Sequence, residues 1–306
     1  MSTIGFDTSN YTTSVAVYDD GVITQSRKLL EVKEGERGLR QSDALFQHIK
    51  QLPDVLSGLK VPDDILAVGV STRPRSVDGS YMPVFLAGLS FAETAAAVLG
   101  VPLYKFSHQD GHIMAGIMSA DSEYLLNKKF ISVHMSGGTT EILKTQYNGM
   151  AFDVEIVGGT KDISAGQVID RVGVHFGMKF PCGREMDAIA CESSGFANLP
   201  VSVSEGYFNF SGLETKAAGY AESEKYGVIS GVFLSVAKTL LSSIDYCCRQ
   251  HNINDVLLVG GVASSRFITS YLKQNLNCRL SVASPELSSD NACGIAILTQ
   301  FSHVGR

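Results

Sequence analysis

The chain has 306 residues, of which 44% are hydrophobic and 18% charged, with a formal net charge of -6. A chain of this length and apolar content builds a packed core, which excludes an intrinsically disordered protein and leaves room for two domains of ordinary size. The acidic balance excludes a protein that grips nucleic acid alone through a broad basic surface, because that affinity comes from Lys and Arg. Along the chain, segments 3–6 and 14–18 read as strands joined by the polar turn Asp7-Thr-Ser-Asn. Segment 42–56 has helical spacing at Ala44, Leu45, Ile49 and Leu52. Residues 67–71 read as a buried strand, and 84–99 as an Ala-rich helix stopped by Gly100 with Pro102 beyond it. A short strand at 103–106 delivers the chain to His108.

The second half begins again with a strand at 130–135, the turn Ser136-Gly-Gly and a second strand at 140–144. This repeats the opening hairpin and predicts two related lobes. Helices are expected over 163–176, 184–191, 228–248 and 265–276, with a strand at 255–259 leading into Gly260-Gly261. The expected division is a first lobe over 1–125, a second over 126–289, and a last helix over 290–306 packing back on the first. The polar stretch 119–129 is the expected hinge. Strands alternating with helices make this an α/β protein.

No basic leader precedes Ile4-Gly-Phe6, and no apolar run is read as long enough for a membrane span. The expectation is a cytoplasmic protein with no membrane contact. Cysteines 182, 191, 247, 248, 278 and 293 form no C-x-x-C pair, so neither a structural zinc site nor a redox motif is expected. Buried free thiols are the simple account.

Three features carry chemistry. In His108-Gln-Asp-Gly-His112 the two histidines are four apart, on one helix face, so both imidazoles can reach one metal ion. Asp290, at the start of a late helix, offers an oxygen ligand. The Ser136-Gly137-Gly138 turn and the Gly260-Gly261 loop allow backbone N–H groups to approach a phosphate, the second before a helix N-terminus. Gln109 stands where His-Glu-x-x-His has its Glu base, so protease chemistry has no support. Asp170 lies in a helical stretch, either as a solvated charge, as a partner for Arg171, or as an acceptor for ribose hydroxyls. His48 and His251 sit in polar surroundings, and Arg73 and Arg75 are candidate contacts for an anionic substrate.

These motifs resemble, nearly end to end, the TsaD family, the catalytic subunits of tRNA threonylcarbamoyladenosine synthesis. The resemblance is carried by Asp7-Thr-Ser, His108-x-x-x-His112, Val133-His-Met-Ser-Gly-Gly138 and Ala165-Gly-x-x-x-Asp170. It continues through Pro181-Cys-Gly183, Phe210-Ser-Gly-Leu213, Gly260-Gly-Val-Ala-Ser-Ser-Arg266 and Pro285-Glu-x-x-x-Asp290-Asn291. It implies a two-lobed actin-like, sugar-kinase-like ATPase fold with nucleotide between the lobes. It implies one iron or zinc ion on His108, His112 and Asp290. It implies an adenine nucleotide or adenylate held by His134, Met135, Ser136, Gly137, Gly138, Asp170, Gly183, Gly260, Gly261 and Ser265. Asp7 and Ser136 are the candidate catalytic residues, with Asp7 orienting water or metal near the phosphates. The implied reaction transfers a threonylcarbamoyl group from its adenylate to a tRNA adenosine. Given the charge, tRNA is expected only with partner subunits, in a complex or a dimer.

The chain departs from the family pattern in places. Tyr11 and Thr12 replace an acidic pair, and Arg73-Pro-Arg-Ser76 replaces a Gly-Pro-Gly-Leu loop. Thr139 follows the Ser-Gly-Gly turn where His or Asn is usual, Gln167 replaces Glu, and Ser265 replaces Asn. These mark a divergent paralogue. The alternative is a nucleotide-binding scaffold, or an enzyme acting on a small-molecule acceptor.

Overall fold

Two mixed sheets carry the fold, and they share one plan. The computed structural model describes residues 2–9, 11–32, 39–77, 79–288 and 291–305. In chain order the first elements are β1 (Ser2–Asp7), β2 (Thr12–Asp19), β3 (Val22–Leu29), α1 (Gln41–Ser57), β4 (Ile65–Arg73), α2 (Phe85–Leu99), β5 (Leu103–Ser107) and α3 (His108–Ser119). Then follow β6 (Lys129–Met135), β7 (Thr140–Tyr147), β8 (Phe152–Thr160), α4 (Ala165–His175), α5 (Gly183–Glu192), β9 (Val203–Ser204), β10 (Tyr207–Phe208), α6 (Ser211–Ala218) and α7 (Lys225–His251). The chain ends with β11 (Asp255–Val259), α8 (Arg266–Asn275), β12 (Arg279–Val282), α9 (Pro285–Ser288) and α10 (Cys293–Val304).

The first sheet runs β3-β2-β1-β4-β5, with β1 antiparallel to β2 and parallel to β4. The second runs β12-β11-β6-β7-β8-β10-β9, with β6 antiparallel to β7 and parallel to β11. Setting the two-residue strands aside, β6, β7, β8, β11 and β12 repeat the arrangement of β1 to β5. The duplication seen in the hairpins therefore extends to whole sheets. The same turn chemistry recurs as well. Thr8 Oγ1 accepts from Gly88 N (3.1 Å) and donates to Val84 O (2.9 Å), tying the first turn to α2. In the second sheet Ser164 Oγ donates to Gly137 O (2.8 Å), tying that turn to α4.

The chain divides into unit 1, Met1–Asp121, Tyr147–Asp153 and Ser289–Arg306, and unit 2, Ser122–Gln146 and Val154–Ser288. Segment 147–153 thus belongs with unit 1, because Phe152 N donates to the buried Asp110 carboxylate at 3.1 Å. The expected hinge is not a free polar linker. Residues Glu123–Asn127 form a 3₁₀ turn that buries Leu125 and Leu126.

In unit 1, α10 packs on β1, β4 and α3 through positions with no room for a side chain. A Cβ on Gly5 would lie 2.5 Å from Ala296 N, and one on Gly294 would lie 1.9 Å from Gly111 O. His48, expected in polar surroundings, has its Nδ1 2.8 Å from Thr13 Oγ1 and is fully buried. In unit 2, α7 buries Val228, Ile229, Val232, Phe233, Val236, Leu240 and Ile244, apolar positions three and four apart. Each such side chain contributes ~1.5–3 kcal/mol when fully buried. The helix stops where Asn252 adopts a left-handed conformation at φ 52°. This helix corrects the expectation that no run has membrane length. Glu222–His251 is long and apolar enough to cross a membrane, but 72% of its apolar window is buried as the central helix of unit 2.

Candidate functional site

α3 starts where the Ser107-x-x-Asp110 capping box closes its first turn. Asp110 Oδ2 accepts from Ser107 N (2.8 Å), Ser107 Oγ (2.6 Å) and Ser76 Oγ (2.9 Å), while Oδ1 takes Phe152 N. Pro74 O accepts from Gln109 N at 3.1 Å. The 73–76 segment, altered from the family pattern, is therefore docked on the start of the histidine helix. With α10 packed on Gly111, the helix is held on both sides.

His108 and His112 are brought together as their spacing predicts. Their ring centroids lie 4.3 Å apart at an interplanar angle of 74°, and the residues are only 7% and 6% exposed. Asp7, at the end of β1, places Oδ2 2.6 Å from His108 Nδ1, and its Oδ1 accepts from Ser9 N (2.8 Å). A carboxylate at this distance accepts the Nδ1–H, so Nε2 is the ring nitrogen turned away from Asp7. Asp290, the third expected ligand, lies outside the described residues. Among the described residues no group of three or more His, Cys, Asp or Glu converges on a metal position.

The glycine loops both belong to unit 2. Ser136 Oγ accepts from Gly138 N (3.3 Å) and Thr139 N (3.0 Å), so the hydroxyl braces its own turn. Gly166 at the start of α4 packs directly on that turn, since a Cβ there would lie 2.6 Å from Gly137 Cα. Gly260, at φ +93°, packs on the end of β6, where a Cβ would meet Met135 O at 2.3 Å and His134 Cδ2 at 3.0 Å. Gly260 is thus glycine for structural reasons. Gly137, Gly138, Gly183 and Gly261 are different. Their φ angles are ordinary, and a Cβ on any of them would meet nothing within 4 Å.

The polar expectations in unit 2 land close to helix ends. Asp170 accepts from Cys182 N (2.7 Å) and from Gly183 N, capping α5. Burial pushes its carboxyl up, while those two N–H groups pull the other way. Arg171 pairs with Glu214 instead, at 3.2 Å. Gln167, in place of the family Glu, forms a capping box with Ser164. Ser265 caps α8 by accepting from Ile268 N (3.2 Å) and donates to Asp187 Oδ1 (2.5 Å). All six cysteines are free, and burial raises the Cys182 thiol.

Two side chains, Asp110 and Asp187, and one contact, the pairing of Asp7 with His108, do not stand out in the sequence. Asp110 was legible as the fourth residue of a capping box. Asp187 and the Asp7–His108 contact are long-range and leave no local pattern.

The family model for tRNA N6-adenosine threonylcarbamoyltransferase, TsaD, matches residues 47–297. The enzyme of that name from Thermus thermophilus is 30% identical over 319 residues, covering 99% of this chain and 93% of its own. That from Thermosipho africanus is 27% identical, covering 97% and 93%. Among solved structures, a ROK family glucokinase from Streptomyces griseus superposes with a TM-score of 0.55 at 12% identity, covering 98% and 99% of the two chains. The activator of 2-hydroxyisocaproyl-CoA dehydratase from Clostridium difficile gives 0.54 at 17% identity, covering 98% and 94%. These neighbours show the fold, the two-lobed actin-like and sugar-kinase-like architecture. The relatives show an enzyme of the tRNA threonylcarbamoyltransferase type. With the family model across most of its length and relatives matched almost end to end, this chain belongs to the TsaD family of tRNA N6-adenosine threonylcarbamoyltransferases.

Proposed function

We propose that the chain works with one divalent ion, iron or zinc, and an adenylate, and that it transfers a threonylcarbamoyl group to a tRNA adenosine together with partner subunits. The residues present fit such an ion. Two buried imidazoles stand side by side, and one has its second nitrogen occupied by Asp7. His108 and His112 would hold the ion, with Asp290 as third ligand. When bound, the ion supplies a Lewis acid for a phosphate or carbonyl oxygen. Asp7 fixes the orientation of the His108 ring and keeps its proton on Nδ1.

The observation that carries the adenylate reading is the open space at Gly137, Gly138 and Gly261. Neither backbone angle nor packing demands glycine there, and close approach of a ligand to exposed N–H groups is the remaining reason. In the reaction the exocyclic amine of adenosine attacks the carbamoyl carbonyl carbon. The new C–N bond forms as the bond from that carbon to the adenylate phosphate oxygen breaks, AMP leaves, and the amine loses a proton to water. Backbone N–H groups at 137 and 260–261 would face the charge gathering on the departing phosphate. Asp170 keeps lone pairs free after capping α5, enough for a ribose hydroxyl.

The net charge of -6 supports a complex in which partner subunits supply the basic surface for tRNA. Six free thiols suit a reducing cytoplasm. Thermal-shift titration with AMP, ADP and ATP tests the nucleotide site. Stabilisation at millimolar concentration is expected, and no shift with any of the three counts against it.

A further inference from the structure

Asp187, on α5, is a carboxylate 7% exposed that none of the proposed chemistry uses. It is nevertheless saturated with donors. Oδ1 accepts from Ser265 Oγ (2.5 Å) and Phe267 N (3.1 Å), and Oδ2 accepts from Arg266 N (3.1 Å). Arg266 Nε lies 3.7 Å from Oδ2. A buried carboxylate is tolerable only when its charge is met, and here the free N–H groups at the start of α8 meet it.

The position of this clamp gives it significance. The loop that precedes α8 begins at Gly260, which packs on Met135 O, and ends at Ser265, which Asp187 holds. Between those anchors Ala263 N donates to Gly260 O (2.9 Å) and Ser265 N to Val262 O (3.1 Å). Gly261 lies between the anchors, exposed and with open space where a Cβ would be. α5 itself is held at its own start by Asp170. α5 therefore links two of the proposed adenylate residues, receiving Asp170 of α4 at its start and sending Asp187 from its middle to Ser265.

We propose that Asp187 is a positioning residue that holds the 260–265 loop in register through the N-terminus of α8, and thereby sets the affinity for the adenylate phosphate. This rests on the reading of that loop as a phosphate site. The test compares the wild-type protein with Asp187→Asn and with Asp162→Asn. Asp162 is a matched clamp elsewhere, accepting from Phe210 N (2.8 Å) and Ser211 N (2.9 Å) at the start of α6. Amide hydrogen exchange reads loop order, and calorimetric titration with AMP reads affinity. In Asp187→Asn, exchange at 261–267 is expected to rise about tenfold and the Kd for AMP to rise about tenfold, because one acceptor becomes an amide donor facing N–H groups. Asp162→Asn is expected to loosen only 160–163 and 210–214 and to leave the Kd within about twofold. If Asp187→Asn does not fold, Ser265→Ala removes the hydroxyl that donates to Asp187 and accepts from Ile268 N, and is expected to move both readouts the same way by about threefold. Faster loop exchange with an unchanged Kd overturns the positioning role. Unchanged exchange overturns the clamp. Absence of AMP binding by the wild-type protein overturns the phosphate reading and with it the functional half of the proposal, while the exchange data still decide whether Asp187 holds the loop.

Discussion

Asp7 Oδ2 and His108 Nδ1 lie 2.6 Å apart, joining the end of the first strand to the first residue of the histidine helix. The contact occupies one ring nitrogen and aims the other. An outer carboxylate of this kind typically contributes 10–100-fold, or about 1.4–3 kcal/mol, to metal affinity. Asp7→Asn is therefore expected to lower affinity for iron or zinc by about that factor. Chelator competition measures it, and far-UV circular dichroism should show an unchanged fold. Wild-type affinity in the variant would remove Asp7 from the metal account.

The glycines of the Ser136 turn separate two roles. A Cβ at 138 meets open space, whereas one at 166 runs into Gly137 Cα and Ser136 O. Gly138→Ala is expected to keep its melting temperature and lose about tenfold in AMP affinity. Gly166→Ala is expected to lose about 1–3 kcal/mol of stability as well, from overpacking. Equal AMP affinity in Gly138→Ala and wild type would mean that the turn does not touch phosphate.

Among the unit 1 glycines, Gly294 makes the closest approach to backbone, with Gly111 O 1.9 Å from where its Cβ would be. Gly294→Ala forces α10 and α3 apart. It is expected to lower stability by about 1–3 kcal/mol or more and to lower metal content, since α3 carries both histidines. Denaturant unfolding and elemental analysis check both. A destabilised protein that keeps full metal content would show that the helix contact does not position the histidines.

Asp162 gives a pH signature. Partial burial pushes its carboxyl up, but the Ser211 hydroxyl and the backbone N–H groups of Phe210, Ser211 and Ile163 outweigh that and hold it at about 2. The folded value lies below the unfolded value of 3.8, so the contribution to stability is present above about pH 4. It is lost as the pH falls from there through about 2. The melting-temperature gap between wild type and Asp162→Asn should be widest at pH 5 and above and should close on acidification. A gap independent of pH would contradict the assignment.

Much of this architecture is visible in local patterns. The strand at Asp255–Val259 and the body of the long helix follow from apolar spacing, and the paired hairpins announce the repeated sheets. The histidine pair is equally local, because four residues are one helical turn. What remains hidden is decided by tertiary contact. His48 sits in a polar-looking stretch yet is buried against Thr13, because α1 turns that face to β2. Asp187 meets its donors 78 to 80 residues away. Segment 147–153 is tied to unit 1 at the buried acceptor Asp110 and at Ser302, which donates to Met150 O, and no periodicity marks either contact. The adenylate residues Asp170 and Ser265 are recognisable by resemblance, but their work as helix caps appears only in the fold.

Transfer of a labelled threonylcarbamoyl group from its adenylate to tRNA tests the account most directly. The purified chain is assayed alone and with the partner proteins of the same cell, before and after metal removal by chelator and restoration with iron or zinc. The account predicts no transfer by the chain alone, transfer with partners, loss on chelation and recovery with the restored ion. Transfer that persists in the fully chelated complex would contradict the metal-dependent site. A metal-loaded complex that never modifies tRNA would contradict the threonylcarbamoyltransferase assignment and favour the scaffold or the small-molecule acceptor.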